Sequence, residues 1–360
     1  MDWLDFPLQV DPARCLALQS THSACRCCQE VCPAAAIRLT EQAVVLDEGA
    51  CLGCGLCLTA CPPGALSYPT LSWSDLIARA AGQSREGHLS LGCAYAASTA
   101  AMTLPCLGLL DADLLLSLAA QGVRALSLHS AECASCPLGA GPLVEAHLSR
   151  AQSRWPDALE VTWQQGTART TPDLWAALGA LAHPPEAAVG RRGFLALVAR
   201  QAKAALSEPP AAAAPAAEPA ALPPSRWTLL RALGRGDGPA FPRYAISPAC
   251  DDCQDAEALC ARFCPSGALQ RLRTDDLVGF VFQPELCLAC DQCLNLCPQQ
   301  AIRRADDVPG RGPLLLRRLA VRRCTRCGQE ATVLVEGLCP ACRRQEQQQA
   351  IWTQLVQPPG

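Results

Sequence analysis

The chain has 360 residues, of which 25 are cysteine, 50% are apolar and only 4% are aromatic, and its net charge is −3. That length holds two to four small domains, and the near-neutral charge forces no reading of partner. The N-terminal Met1-Asp2-Trp3-Leu4-Asp5-Phe6 is acidic and no apolar run of membrane-spanning length is free of charge, so neither a secretory leader nor a transmembrane helix is expected. Secreted disulfide scaffolds are short and carry such a leader. The expectation is a cytoplasmic protein whose reduced thiols bind metal, with ligation supplying folding energy that a larger aromatic core would otherwise supply.

Residues 10–70 are dense in cysteine. Cys15 comes first, then Cys25-x2-Cys28-x3-Cys32-Pro33 with Cys27 inside it. The segments Ile37–Leu39 and Val44–Leu46 read as a hairpin, followed by Cys51-x2-Cys54-x2-Cys57-x3-Cys61-Pro62. Residues 87–182 alternate short apolar runs with helical stretches, an α/β pattern. They carry Cys93, then Pro105-Cys106-Leu107-Gly108, then a leucine-rich helix opening at Asp111 and ending at Gly122. A strand over 125–128 precedes Cys133-x2-Cys136-Pro137. Strand ends in an α/β sheet converge on one edge, so these four thiols have a place to meet. A metal or cluster site is the favoured reading; a redox disulfide and plain buried thiols are the alternatives.

Residues 183–244 read as a helix plus an Ala/Pro linker. The helix, 191–206, contains Arg191-Arg192-Gly193-Phe194-Leu195, which is similar to a twin-arginine export motif but lies mid-chain. Repeated proline over 207–224 favours an extended spacer. Residues 245–306 form a second cysteine-dense region, with Cys250-x2-Cys253-x6-Cys260-x3-Cys264-Pro265, a hairpin of 269–272 with 278–282, and Cys287-x2-Cys290-x2-Cys293-x3-Cys297-Pro298. Residues 317–345 carry Cys324-x2-Cys327-Gly328 and Cys339-Pro340-x-Cys342, read as two knuckles joined by a hairpin at 332–335. Four thiolates so spaced make a tetrahedral site for zinc or a single iron. Zinc is favoured because no aromatic shell surrounds them. Arg317, Arg318, Arg322, Arg323, Arg326, Arg343 and Arg344 crowd this region; they are a solvated basic face or a dock for an acidic partner or nucleic acid. The Gln-rich tail reads as a short helix.

Four copies of one phrase, cysteine and proline followed three residues later by alanine and then isoleucine or leucine, begin at Cys32, Cys61, Cys264 and Cys297. The two regular motifs, at Cys51 and Cys287, resemble those of bacterial-type two-cluster ferredoxins. In that family three thiolates wrap one cubane and the fourth reaches the neighbouring cluster. The resemblance implies four ligand sets: Cys51, Cys54 and Cys57 with Cys32; Cys15, Cys25 and Cys28 with Cys61; Cys287, Cys290 and Cys293 with Cys264; and Cys250, Cys253 and Cys260 with Cys297. The first motif of each pair departs from the pattern. His22 stands where the first cysteine would be, so either Cys15 or His22 completes that set; Cys15 is favoured because thiolate is the usual ligand. Cys27 is left over. The Cys250 motif carries a four-residue insertion that covers its cluster or touches a partner. Residues 87–182 resemble the delta subunit of methyl-viologen-reducing hydrogenase, through Pro105-Cys106-x-Gly108, Asp111, Gly122-Val123 and the late cysteine pair. That resemblance implies a [2Fe–2S] cluster on Cys93, Cys106, Cys133 and Cys136, although the pair here is tighter than the family's.

The expected fold is α+β and multidomain: two ferredoxin-like [4Fe–4S] modules, a central small α/β domain and a C-terminal zinc ribbon. No phosphate loop, nucleophile elbow or dinucleotide fingerprint is present, so no catalytic site is expected. The expected function is electron transfer to or from a larger cytoplasmic oxidoreductase, with four [4Fe–4S] clusters, a central [2Fe–2S] cluster in question, and zinc or iron in the knuckles. A redox partner protein is expected rather than nucleic acid. Two alternatives stand beside it: an accessory protein in maturation of a molybdenum-type enzyme, and a redox-sensing zinc-ribbon binding protein.

Overall fold

Each Cys-Pro phrase folds as the same turn. The carbonyl of the cysteine accepts the N–H three residues on, from Ala35, Gly64, Gly267 and Gln300, at 3.2, 3.0, 3.1 and 3.0 Å. Proline presets the first central position of such a turn. The residue that closes it is left-handed, with φ of +49°, +63°, +65° and +47°. The alanine that follows (Ala36, Ala65, Ala268 or Ala301) is buried, and the next residue opens a strand. The phrase is a device for turning the chain from a cysteine into a sheet.

The computed structural model describes residues 8–19, 23, 25–68, 71–182, 222–233, 238–253, 258–308 and 312–356. The chain divides into two units, Met1–Gly238 and Pro239–Gly360. His22, the helix read over 191–206, the Ala/Pro stretch over 207–221 and residues 254–257 of the Cys250-motif insertion lie outside the described residues.

The first unit begins with β1 (Gln9–Val10), α1 (Leu16–Gln19), α2 (Cys27–Glu30), β2 (Ile37–Leu39), β3 (Val44–Leu46), α3 (Leu56–Ala60) and β4 (Leu66–Ser67). β2 and β3 form a hairpin, and β1 pairs antiparallel with β4. Next come α4 (Trp73–Gly82), β5 (His88–Cys93), β6 (Met102–Leu104), α5 (Ala112–Ala120), β7 (Ala125–Ala131), α6 (Gly141–Arg154), β8 (Glu160–Gly166) and α7 (Leu174–Ala182). The four strands make a parallel sheet in the order β6-β5-β7-β8. Parallel pairing needs long crossovers, and α5 and α6 supply two of them. Ser72 caps α4 by accepting the Asp75 N–H, and Asp111 caps α5 through the Leu114 N–H at 2.9 Å. Leu114, Leu115, Leu116 and Leu118 are all buried, so α5 is enclosed on every side.

The stretch read as helix plus linker also contains α8 (Pro224–Ala232), which packs on α4 and α5. Arg226 on α8 and Arg154 on α6 both bond the buried Asp113 carboxylate of α5, at 2.6 and 2.5 Å.

The second unit repeats the first module's pairing. It contains β9 (Phe241–Ile246), α9 (Leu259–Arg262), β10 (Leu269–Arg273), β11 (Leu277–Phe282), α10 (Gln292–Asn295) and β12 (Ile302–Val308). β9 pairs with β12 as β1 does with β4, and β10 with β11 as β2 does with β3. Loop bonds repeat as well. The Asp11 N–H donates to Ala65 O and the Ser247 N–H to Ala301 O, while the Asp47 N–H donates to Ala36 O and the Gln283 N–H to Ala268 O, each at 2.8 Å. Two differences from the sequence reading follow. β13 (Leu314–Ala320) joins the hairpin as a third strand beside β11, so the sheet of this region extends past residue 306. In place of the knuckle hairpin expected at 332–335, β14 (Arg322–Arg323) and β15 (Glu330–Ala331) pair on either side of the first knuckle, and a tight turn closed by Val335 and Leu338 leads into the second. Finally α11 (Pro340–Val356) runs from the second knuckle.

Candidate iron–sulfur and metal centres

The Cys-Pro turn aims a backbone donor at its own sulfur. The N–H groups of Ala36, Ala65, Leu269 and Ala301 reach the Sγ atoms of Cys32, Cys61, Cys264 and Cys297 at 3.3, 3.3, 3.4 and 3.3 Å. An N–H pointed at a thiolate offsets its charge. The buried alanine supplies the donor in three copies and Leu269, the residue after it, in the fourth, each placed by the left-handed residue that closes the turn. Their repetition in the sequence was the available signal, but the donor they create becomes apparent only in the fold.

In the first unit, Cys32, Cys51, Cys54 and Cys57 line one cavity, with Ile37, Leu46, Leu56 and Tyr68. Cys15, Cys25, Cys28 and Cys61 line a second, which Cys27 also lines. Cys32 and Cys61 thus each sit with the other motif's cysteines. Burial pushes the Cys54 thiol up to about 11 and that of Cys61 up to about 12, with nearby sulfurs adding to both. Cys57 is raised by burial and then by Cys54, Cys51 and Cys32. Four thiols crowded out of water resist ionising together, and iron relieves that conflict. The donor set therefore fits an iron–sulfur cluster. Cys25 donates to Cys27 with their sulfurs 4.0 Å apart, which lowers the Cys27 thiol to about 7 and raises that of Cys25.

The second unit groups its thiols in the same crossed way. Cys260 is pushed up to about 12 by burial and then by Cys253, Cys250 and Cys297. Cys293 is raised by burial and then by Cys287, Cys290 and Cys264. Asp291, left-handed at φ +57°, anchors the loop between Cys290 and Cys293. It accepts from Tyr244 Oη at 2.8 Å and Arg304 Nε at 2.9 Å. Arg271 Nε bonds Asp252 Oδ1 at 2.6 Å, bracing the loop between Cys250 and Cys253.

At the C-terminal end of the parallel sheet, Cys93, Cys106, Cys133 and Cys136 line one small cavity, with Tyr95, Pro105, Leu107 and Leu138. Cys93 ends β5, Cys106 follows β6 and Cys133 follows β7, so sheet topology brings together thiols 43 positions apart in the chain. The Cys133 N–H donates to Gln165 Oε1 at 2.9 Å, and its sulfur lies 3.7 Å from Ser130 Oγ. Tyr95, Ser130 and Gln165 carry no sequence signature and were not anticipated.

The ligand atoms of Cys324, Cys327, Cys339 and Cys342 all lie within 4.8 Å of one another. The Cys339 N–H donates to Cys324 Sγ at 3.3 Å and lowers that thiol to about 6. The set suits a tetrahedral ion. Several arginines nearby are engaged internally. Arg273 and Arg323 face Glu330 at 2.8 and 3.7 Å, and Arg326 faces Glu346 at 3.7 Å.

These centres define a protein with an iron–sulfur-binding, ferredoxin-like module. Residues 22–70 match the family described as LdpA Fe-S cluster-binding domain. Over 45 residues the chain is 51% identical to an uncharacterized ferredoxin of Methanocaldococcus jannaschii, covering 12% of this chain and 27% of that one. It is 36% identical over 92 residues to Hydrogenase-4 component A of Escherichia coli, covering 22% and 45%. It is 43% identical over 42 residues to one of the subunits of the ion-translocating oxidoreductase complex of Methanosarcina acetivorans, covering 12% and 16%. The chain therefore spans less than half the length of these relatives. Among the described residues no helix is long and apolar enough to cross a membrane.

Proposed function

We propose that the chain is a multi-cluster electron carrier that serves a larger oxidoreductase in a reducing, cytoplasmic setting. Four [4Fe–4S] clusters sit in two ferredoxin-like modules, at 10–70 and 245–306. Cys32, Cys51, Cys54 and Cys57 hold one, and Cys15, Cys25, Cys28 and Cys61 the second. Cys264, Cys287, Cys290 and Cys293 hold the third, and Cys250, Cys253, Cys260 and Cys297 the fourth. The central domain, 87–182, is of the hydrogenase-delta kind and binds a [2Fe–2S] cluster through Cys93, Cys106, Cys133 and Cys136. The knuckles in 317–345 hold a structural zinc. The observation that carries this reading is the crossed grouping in the first module, where Cys32 and Cys61 each line a cavity with the thiols of the opposite motif, which is how a two-cluster ferredoxin shares its ligands.

The partner is a redox protein, since relatives bear the names of a hydrogenase component and an oxidoreductase-complex subunit. Anaerobic metal analysis with EPR of the reduced protein tests the reading. About sixteen irons from four cubanes, about two more from the central site and one zinc are expected. Eight irons or fewer, by the same count of about four per cubane, would overturn it.

A further inference from the structure

The central four-thiol cavity does not stand apart from the first unit's clusters. Cys54, Leu56, Cys106, Leu138, Ala140 and Leu174 share one buried cluster, and Tyr95 and Cys136 pack against it. The two backbones press together there. A Cβ at Gly108 would lie 2.6 Å from Leu56 Cδ2, and one at Gly55 would overlap Leu109 Cδ1. Thr59 Oγ1 donates to Gly108 O at 2.9 Å. On the other side of the loop a Cβ at Gly53 would lie 2.7 Å from the Trp175 ring. The segment carrying Cys54 is thus packed closely against the turn carrying Cys106. Cys54 of one centre and Cys106 of the other thus lie in the same buried cluster.

We infer that the central thiols form the terminal redox centre of the first unit, exchanging one electron at a time with the cluster of Cys32, Cys51, Cys54 and Cys57 across the Cys54–Cys106 junction. The inference rests on the proposed electron-carrier reading and adds a route and an exit. One centre loses an electron and the other gains it; no bond or proton moves. The electrons enter from a reduced iron–sulfur or flavin group on the redox partner. The exit is the loop over 132–137. Cys133 and Cys136 are only half-buried, and Glu132, Ala134, Ser135 and Pro137 around them are at least partly exposed. Cys106, which lies in the junction cluster, is buried, as is Cys93. The site has a wired inner face and an outer face that an acceptor protein reaches.

EPR power saturation on the anaerobic full-length protein tests this. The cluster bound by Cys54 is monitored at two poised potentials, one with the central centre diamagnetic and one with it paramagnetic. Its half-saturation power is expected to rise severalfold when the central centre is paramagnetic. In Cys133→Ser/Cys136→Ser the rise is lost together with about two irons, while the ferredoxin-module signals remain. An unchanged half-saturation power with iron present in the central site overturns the inference, as does zinc there. Absence of cubane signals altogether would instead refute the electron-carrier reading. The two-potential comparison needs no variant, so a double variant that fails to fold leaves the test intact.

Discussion

At Cys32, Cys61, Cys264 and Cys297 the sulfur receives a backbone N–H before any metal is considered, and the left-handed residue of the turn makes that possible. Glycine fills it at Gly64 and Gly267, whereas Ala35 and Gln300 accept it with a side chain. Nothing lies within 4 Å of a Cβ at Gly267, but one at Gly64 would meet Pro223 Cα at 2.8 Å. Gly267→Ala should then cost only the left-handed penalty, about 1–2 kcal/mol. Gly64→Ala should cost clearly more, and Ala35→Gly should be neutral or stabilising by up to about 1 kcal/mol. Denaturant midpoints of the anaerobic holoprotein check the order; equal costs at the two glycines would contradict it. The fifth thiol of the first module gives another residue-scale prediction. Cys28→Ser should remove the cluster of its set, whereas Cys27→Ser should keep all its iron. Cys25→Ser should lose iron only in part, because the Cys27 sulfur lies 4.0 Å from the one removed. Iron stoichiometry decides, and iron loss in Cys27→Ser would mean that Cys27 is the true ligand. The cysteine spacings were legible in the sequence because cubane ligation fixes them. The choice between Cys25 and Cys27 was not, because both reach the same cavity.

Among the elements, the pieces with local causes were legible and those with tertiary causes were not. The helix from Asp111 to Gly122 announced itself by its cap and its glycine stop, and β2 with β3 by two apolar triplets. α8 was hidden by its proline-rich surroundings, although Pro224 opens it as helices commonly open, and it is held by packing on α4 and α5 and by Arg226 on a carboxylate 113 positions away. β13 likewise depends on the free edge of β11. The Asp113 triad joins α5, α6 and α8 in one buried contact. Burial pushes the Asp113 carboxyl up, but Arg226 and Arg154 outweigh it and bring it down to about 2. Asp111 beside it is pushed up to about 6 by burial and then by the Asp113 charge. A carboxylate depressed on folding adds stability above its unfolded pKa of about 3.9 and loses it as pH falls through the folded value. Asp113→Ala removes the carboxylate between two buried guanidinium groups and should cost about 3–5 kcal/mol at neutral pH. The difference between wild type and variant should shrink as pH drops from about 4 toward 2. Urea unfolding followed by circular dichroism measures both; a cost under about 1 kcal/mol would place the triad among weak surface pairs.

For the whole molecule, the grouping of thiols sets what is separable. Every proposed ligand of the second unit, from Cys250 to Cys342, lies between residues 239 and 360, and the contact division falls at 238. Residues 239–360 expressed alone should therefore fold and hold about eight irons and one zinc. Loss of iron from that fragment would mean that the first unit contributes to its clusters. Inside this unit the knuckles and the cluster loops are joined. β13 leads from the hairpin sheet into the first knuckle. Thr332 Oγ1 donates to Asp251 O at 3.2 Å, and Arg273 pairs with Glu330. Asp251 lies between Cys250 and Cys253, so a metal held by the knuckles would also steady the ligand loop of the irregular motif. A four-cysteine knuckle with a basic rim reads in sequence as a free-standing binding module, because sequence spacing does not reveal what it packs against. Packed here, it behaves as a brace. Chelating the zinc, or replacing Cys342 with serine, should leave iron content unchanged at first but speed air bleaching of the cluster on Cys250, Cys253, Cys260 and Cys297. The regular cluster on Cys264, Cys287, Cys290 and Cys293 should bleach at its former rate. Absorbance time courses with EPR identification of the lost signal resolve the two, and equal bleaching with and without zinc would show that the knuckles do not support the cluster loop.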